Sequence, residues 1–229
     1  MKKVLLLAAL AVVSVVMVSV ARADTVWTQW DSGFTAATPG GAATGTMGGV
    51  TVTYSGELEN LIFGYPSWTA PPLYMGPPTY IGGPVTSAPP PAGGIIQLFG
   101  GQYGATDTIT FSSPVINPAM AIWSLGSGGD LASFNFTAMP TIVAGGPSAE
   151  YLGSSITQTG NNIYGAEGNG TVVFYGTFNS ITWTNPSFED WYGFTVGTAQ
   201  VPEPSSVIGA SGLGLMGLLG LVWRRRKVA

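Results

Sequence analysis

From Asp24 to Gln200 the chain has no Lys, no Arg, no His and no Cys. Such a segment cannot be held by disulfides, and it offers no thiolate for a structural metal. Its stability has to come from an apolar core. Its 177 residues are enough for one domain with a sizeable core. All seven cations, Lys2, Lys3, Arg22, Arg224, Arg225, Arg226 and Lys227, lie in the two ends of the chain. The formal net charge of −4 therefore conceals a middle segment with ten carboxylates and no counter-charge.

This imbalance removes whole classes of function. A nucleic-acid binder needs cations to neutralise phosphates, so no nucleic-acid partner is expected. Anionic lipid surfaces repel such a domain for the same reason. Triads built on a His or Lys base are excluded. Only carboxylates, hydroxyls and phenols remain for chemistry, and the expectation is a protein that is not an enzyme.

The residue types of the middle segment favour strands, with frequent Gly and Pro and no sustained helical period. In Gly49–Ser55, Val50, Val52 and Tyr54 alternate with Thr51, Thr53 and Ser55, the pattern of a half-buried strand. Trp27 and Trp30 sit in an entry loop or N-terminal strand. Further strands are predicted over Ile95–Phe99, Thr106–Phe111, Ala119–Leu125, Ala132–Thr137, Glu150–Thr157, Gly170–Gly176, Ser180–Asn185 and Trp191–Val196. Gly-rich turns separate them. The clearest predicted pair joins Thr171–Tyr175 to Ile181–Trp183 through Gly176–Ser180. This pattern predicts an all-β ectodomain over 24–200, an antiparallel β-sandwich of jelly-roll type.

Residues 65–94 interrupt the strands with nine of the seventeen prolines. Each proline removes a backbone donor and fixes φ, which rules out a central strand. The expectation is a long surface loop; the alternative is a stiff aromatic platform carrying Trp68, Tyr74 and Tyr80 for stacking on sugars.

The two ends read as targeting segments. Lys2 and Lys3 precede the uncharged run Val4–Val20, and Ala21-Arg22-Ala23 supplies small residues for signal cleavage after Ala23. Residues 1–23 are thus expected to be a signal peptide, read by the general secretion machinery and signal peptidase. At the other end, Pro202-Glu203-Pro204 precedes the 17-residue uncharged span Val207–Trp223 and then Arg224, Arg225, Arg226 and Lys227. A transmembrane helix needs about 17–25 apolar residues, and the basic cluster after it holds that end in the cytoplasm as a stop-transfer signal.

This ordered triple over 201–229 resembles the PEP-CTERM sorting signal of bacterial exosortase substrates. The resemblance implies an exported protein of a Gram-negative-type bacterium, anchored in the inner membrane and cut by exosortase near Pro202-Glu203-Pro204. Release to the cell surface or the extracellular exopolysaccharide of a biofilm matrix would follow. Thr108–Gly126, with its later counterpart running from Glu167–Gly170 through Phe194–Gly197, is similar to ectodomains of a cyanobacterial-type group of exosortase-dependent surface proteins. That second likeness implies localisation and fold class, not chemistry.

Candidate ligands are few. Glu57 and Glu59, two apart on a strand, share a face and can bind Ca²⁺ through their oxygens, or can charge a strand edge. Asp130 and Glu167 sit in Gly-rich loops, where Ca²⁺ ligation competes with a turn role. Trp68 is the candidate sugar contact, while Trp123 and Trp183 are expected to fill the core. Glu189-Asp190 is a candidate acid pair for glycoside hydrolysis by carboxylates alone. The sequons at Asn135 and Asn169 carry little meaning in a bacterial surface protein.

Overall fold

A computed structural model describes residues 24–101, 104–189 and 191–199. The expected signal peptide (1–23, with Ala21 and Ala23), the sorting segment (201–229), its span 207–223 and its basic end 224–227 lie outside the described residues.

Strands β1 (Val26–Trp27), β2 (Gln29–Thr35), β3 (Ala37–Met47), β4 (Val50–Leu58) and β5 (Asn60–Ile62) precede the Pro-rich segment. Then come β6 (Ile95–Leu98), β7 (Thr106–Ile116), β8 (Pro118–Leu125), β9 (Ala132–Phe136) and β10 (Thr141–Gly145). The last are β11 (Ser154–Ser155), β12 (Thr157–Thr159), β13 (Asn162–Gly165), β14 (Gly168–Val173), β15 (Thr177–Thr184) and β16 (Tyr192–Thr198). They form two eight-stranded sheets. The first has the order β10-β14-β8-β16-β6-β5, with β1 beside β16 and β11 beside β14. The second has the order β12-β13-β9-β15-β7-β4-β3-β2. Pairing is antiparallel except for the short β11–β14 contact.

The two sheets enclose a common core, as the alternation in the sequence requires. Val52 and Tyr54 of β4, Ile109 and Phe111 of β7, and Ile181 and Trp183 of β15 turn inward from the second sheet. Phe194 of β16 meets them from the first, its ring edge-on to Trp183 at 5.1 Å and to Tyr54 at 5.5 Å. Edge-to-face pairs of this kind add about 0.5–1.5 kcal/mol beyond the area they bury.

β8 is buried along its whole length, because the first sheet is covered on both faces. Met120 and Ile122 point into the main core, whereas Ala119, Ala121 and Trp123 point outward into a second apolar cluster. The Pro-rich segment supplies the far side of that cluster through Trp68, Tyr80 and Val85. The segment is therefore a strap packed on the sheet, not a loose surface loop. Small side chains at 119 and 121 let it approach closely. Its backbone and side chains are tied down at several points. Ala149 N–H donates to Thr69 O (2.9 Å), Thr171 Oγ1 to Tyr80 O (3.0 Å), and Trp27 Nε1 to Ser87 O (2.9 Å).

Two expectations are corrected. Thr171–Tyr175 and Ile181–Trp183 do not form a hairpin: β14 belongs to the first sheet and β15 to the second. The chain crosses between sheets at Gly176, whose φ of +130° favours glycine. A strand over Glu150–Thr157 does not form either. Ser148 and Leu152 close a turn, with Leu152 at φ +61° and Gly153 at φ +68°, and only the short β11 and the start of β12 follow.

Candidate functional site

Aromatic side chains from distant parts of the chain converge where the strap leaves the first sheet. Trp123, held on the outer face by β8, meets Tyr65 of the strap edge-on at 5.3 Å. It also contacts Tyr151 at 5.4 Å and Trp191 at 6.3 Å. Tyr151 and Trp191 are 43% and 40% exposed, so both rings are supported from below and open to solvent. The Trp191 indole N–H donates to Tyr151 Oη at 2.6 Å, which fixes the two rings relative to each other. Glu189 Oε1 accepts from the Trp191 backbone N–H at 2.8 Å and anchors the turn that presents the indole.

A carboxylate lies within this patch. Glu150 Oε1 accepts from Ser67 N–H (2.8 Å) and Ser67 Oγ (2.6 Å), and Oε2 accepts from the Trp123 indole N–H (3.3 Å). Rigid rings beside an oriented carboxylate can stack on the C–H face of a pyranose and accept its hydroxyl hydrogens. A cleft of about 340 Å³ in the strap is lined by Trp68, Tyr74, Thr79, Tyr80 and Ile81.

Most of the residues singled out in the sequence lie elsewhere. Trp68 is 2% exposed, packed edge-on against Tyr80 at 5.1 Å, so it is a strap anchor and not an open platform. Trp183 fills the main core, as expected, whereas Trp123 is buried by the strap on the opposite side of the first sheet. Glu57 and Glu59 do not share an exposed face. Glu57 is fully buried, and Glu59, past the end of β4, is half-buried and accepts from Gln97 Nε2 at 2.6 Å. Asp130 closes an exposed turn with Ser127. Glu167, at φ +55°, accepts from Ser124 Oγ at 2.6 Å and holds the turn between β13 and β14. The four Ca²⁺ candidates are thus dispersed. Among the described residues, no three carboxylates are gathered as a metal cluster. Asp190 lies outside the described residues.

Among the described residues, the fold brings Glu57 and Asp107 together inside the core. Asp107 Oδ1 accepts from Tyr54 Oη at 2.5 Å and from the Glu57 N–H at 2.8 Å. Burial pushes the Asp107 carboxyl up to about 7, with the nearby Glu57 charge adding to the rise and the two hydrogen bonds opposing it. Burial also raises the Tyr54 and Tyr192 phenols well above their ordinary range.

Sequence reasoning did not single out Tyr65, Glu150 or Tyr151, or the role of Asn169. No local pattern marks the first three, since they meet only through the strap. Asn169, read as a sequon, is fully buried and joins strap to sheet. Its Oδ1 accepts from Ser124 N–H (2.8 Å) and Tyr80 Oη (3.3 Å), and its Nδ2 donates to Glu167 O (2.9 Å).

A family model described as the PEP-CTERM protein-sorting motif matches residues 200–227, which include Pro202, Glu203, Pro204 and the four terminal cations. No curated protein and no solved structure matches the chain. The motif makes exosortase the processing partner of an exported protein that is membrane-anchored before it is processed. The chain is a protein that carries the PEP-CTERM sorting motif.

Proposed function

We propose that residues 24–200 act, after exosortase processing, as a non-enzymatic protein of the bacterial surface and extracellular matrix that holds exopolysaccharide at the Tyr151–Trp191 patch. The observation that carries this reading is the pair of half-exposed rings, hydrogen-bonded to each other and supported by Trp123. Export to the cell surface would bring such a patch within reach of polysaccharides. A role in binding rather than glycoside hydrolysis is supported by the burial of Glu57 and Asp107, which are closed to a polymer substrate.

The test is co-sedimentation of the full-length chain, in detergent, with exopolysaccharide from the producing cells. Trp191→Ala is expected to weaken binding about tenfold to thirtyfold, the loss of about 1.4–2 kcal/mol typical of an aromatic hot spot. Unchanged sedimentation would remove the patch from the reading.

A further inference from the structure

The second sheet presents an unusual outer face. Over the central stretches of β4 (51–55), β7 (106–112) and β15 (180–184), the residues between the inward ones bear small hydroxyl side chains. Strand register aligns these into rows that run across the sheet. Thr44, Thr53, Thr110 and Ser180 form one row over four adjacent strands. Ser55, Thr108 and Thr182 form the next, which Thr137 extends with its hydroxyl 2.7 Å from that of Thr182.

The array is two-dimensional. Hydroxyls repeat at about 4.8 Å across the strands and about 6.8 Å along them. Although the domain has ten carboxylates, these rows include none, and the nearest along the strands, Glu57 and Asp107, are buried. The rows therefore neither repel nor select charge, and they match a neutral, polyhydroxylated partner.

Sheet geometry decides between two such partners. A lattice of ordered water requires a flat face, but adjacent strands rotate by about 20–25°, so four strands turn the rows well out of one plane. An extended chain polymer can follow that twist. Its rings, each about as long as the strand spacing, would then meet one hydroxyl per strand.

We propose that this face is a second contact surface, which seats a neutral polysaccharide chain laid across the strands. The aromatic patch lies on the outer side of the first sheet and the hydroxyl rows on the outer side of the second. The domain then joins two chains, one on each side. This crosslinking rests on the polysaccharide reading above, but the hydroxyl face is testable without it.

The probe is regenerated cellulose, with ice affinity measured in parallel, on the full-length chain in detergent. The triple variant Thr53→Val, Thr110→Val, Thr182→Val keeps shape and strand preference while removing three hydroxyls. It is expected to bind cellulose at least about tenfold more weakly. The matching triple Thr→Ser variant should retain binding, which separates lost hydroxyls from a disturbed fold. Residual binding of Trp191→Ala, Tyr151→Ala should also be lost on adding the valines. If the aromatic variant binds as well as the parent while the valine variant does not, the aromatic reading fails and the hydroxyl face stands. Equal cellulose binding by parent and valine variant overturns this proposal. So does a valine variant that loses affinity for ice alone.

Discussion

Replacing Gly56 by alanine is expected to destabilise the ectodomain by about 3–5 kcal/mol, combining overpacking with backbone strain. A Cβ at this position would collide with Asp107 Oδ1 and lie 2.9 Å from the Asp107 Cα, and the glycine sits at φ +155°. The collision falls on the one oxygen that accepts from both Tyr54 and the Glu57 backbone. Relief by moving Asp107 would leave the buried Glu57 amide unsatisfied, at about 1–3 kcal/mol, and would leave Tyr54 Oη only its bond to Glu57 O (2.7 Å). Gly33→Ala is the control, since nothing lies within 4 Å of its Cβ, and it should stay within about 0.5 kcal/mol of the parent. Urea unfolding of the three proteins measures the difference. A Gly56→Ala midpoint equal to that of Gly33→Ala would show that Asp107 is not packed against Gly56.

The second large effect is a dependence on pH, opposite to that of an ordinary salt-bridged acid. Asp107 in the folded protein titrates at about 7, against an ordinary value of 3.8. Between these values the folded state holds a proton that the unfolded chain has released. This contribution is complete below about pH 4, declines as pH rises, and is gone above about pH 7. Its full span is on the order of 4 kcal/mol, at about 1.4 kcal/mol per unit. Asp107→Asn keeps an oxygen for Tyr54 and the Glu57 amide but cannot ionise. The variant should therefore match the parent near pH 4 and exceed its stability near pH 8. Thermal melting across that range checks this, and parallel curves for parent and variant would contradict it.

Strand positions were legible where one face is solvated and the other packed. Val50–Ser55 alternates because β4 has a core side and a water side. The near-continuous apolar run of β8 also reads as a strand, but its cause is not local. The run needs a cover on its outer face, and that cover is the Pro-rich strap. Proline content correctly excludes a central strand there, yet it cannot say whether a non-strand segment packs or dangles. The mistaken Thr171–Trp183 hairpin has a similar origin. Two strands with a short Gly-containing link fit a hairpin or a crossing between sheets equally well, and the core decides by taking Phe174 and Trp183 from opposite sides. The aromatic patch was the least legible part. Tyr65, Trp123, Tyr151 and Trp191 span most of the domain's sequence and converge only in the folded chain. Glu57 misled for a related reason. A carboxylate on an alternating strand looks solvated, but Gly56 and Asp107 draw it into the core.

Delivery to the cell surface underlies the whole functional reading. It is tested most directly by following the chain in cells with and without exosortase, using an epitope placed in the exposed 127–130 turn. With exosortase, a shortened form lacking Arg224–Lys227 should appear in the surface and exopolysaccharide fractions, its new C-terminus at or near Pro202-Glu203-Pro204 by mass spectrometry. Without exosortase, the uncut chain should remain in the membrane fraction. An uncut chain with the same distribution in both strains would contradict sorting by this motif, and with it the assignment of the domain to the matrix.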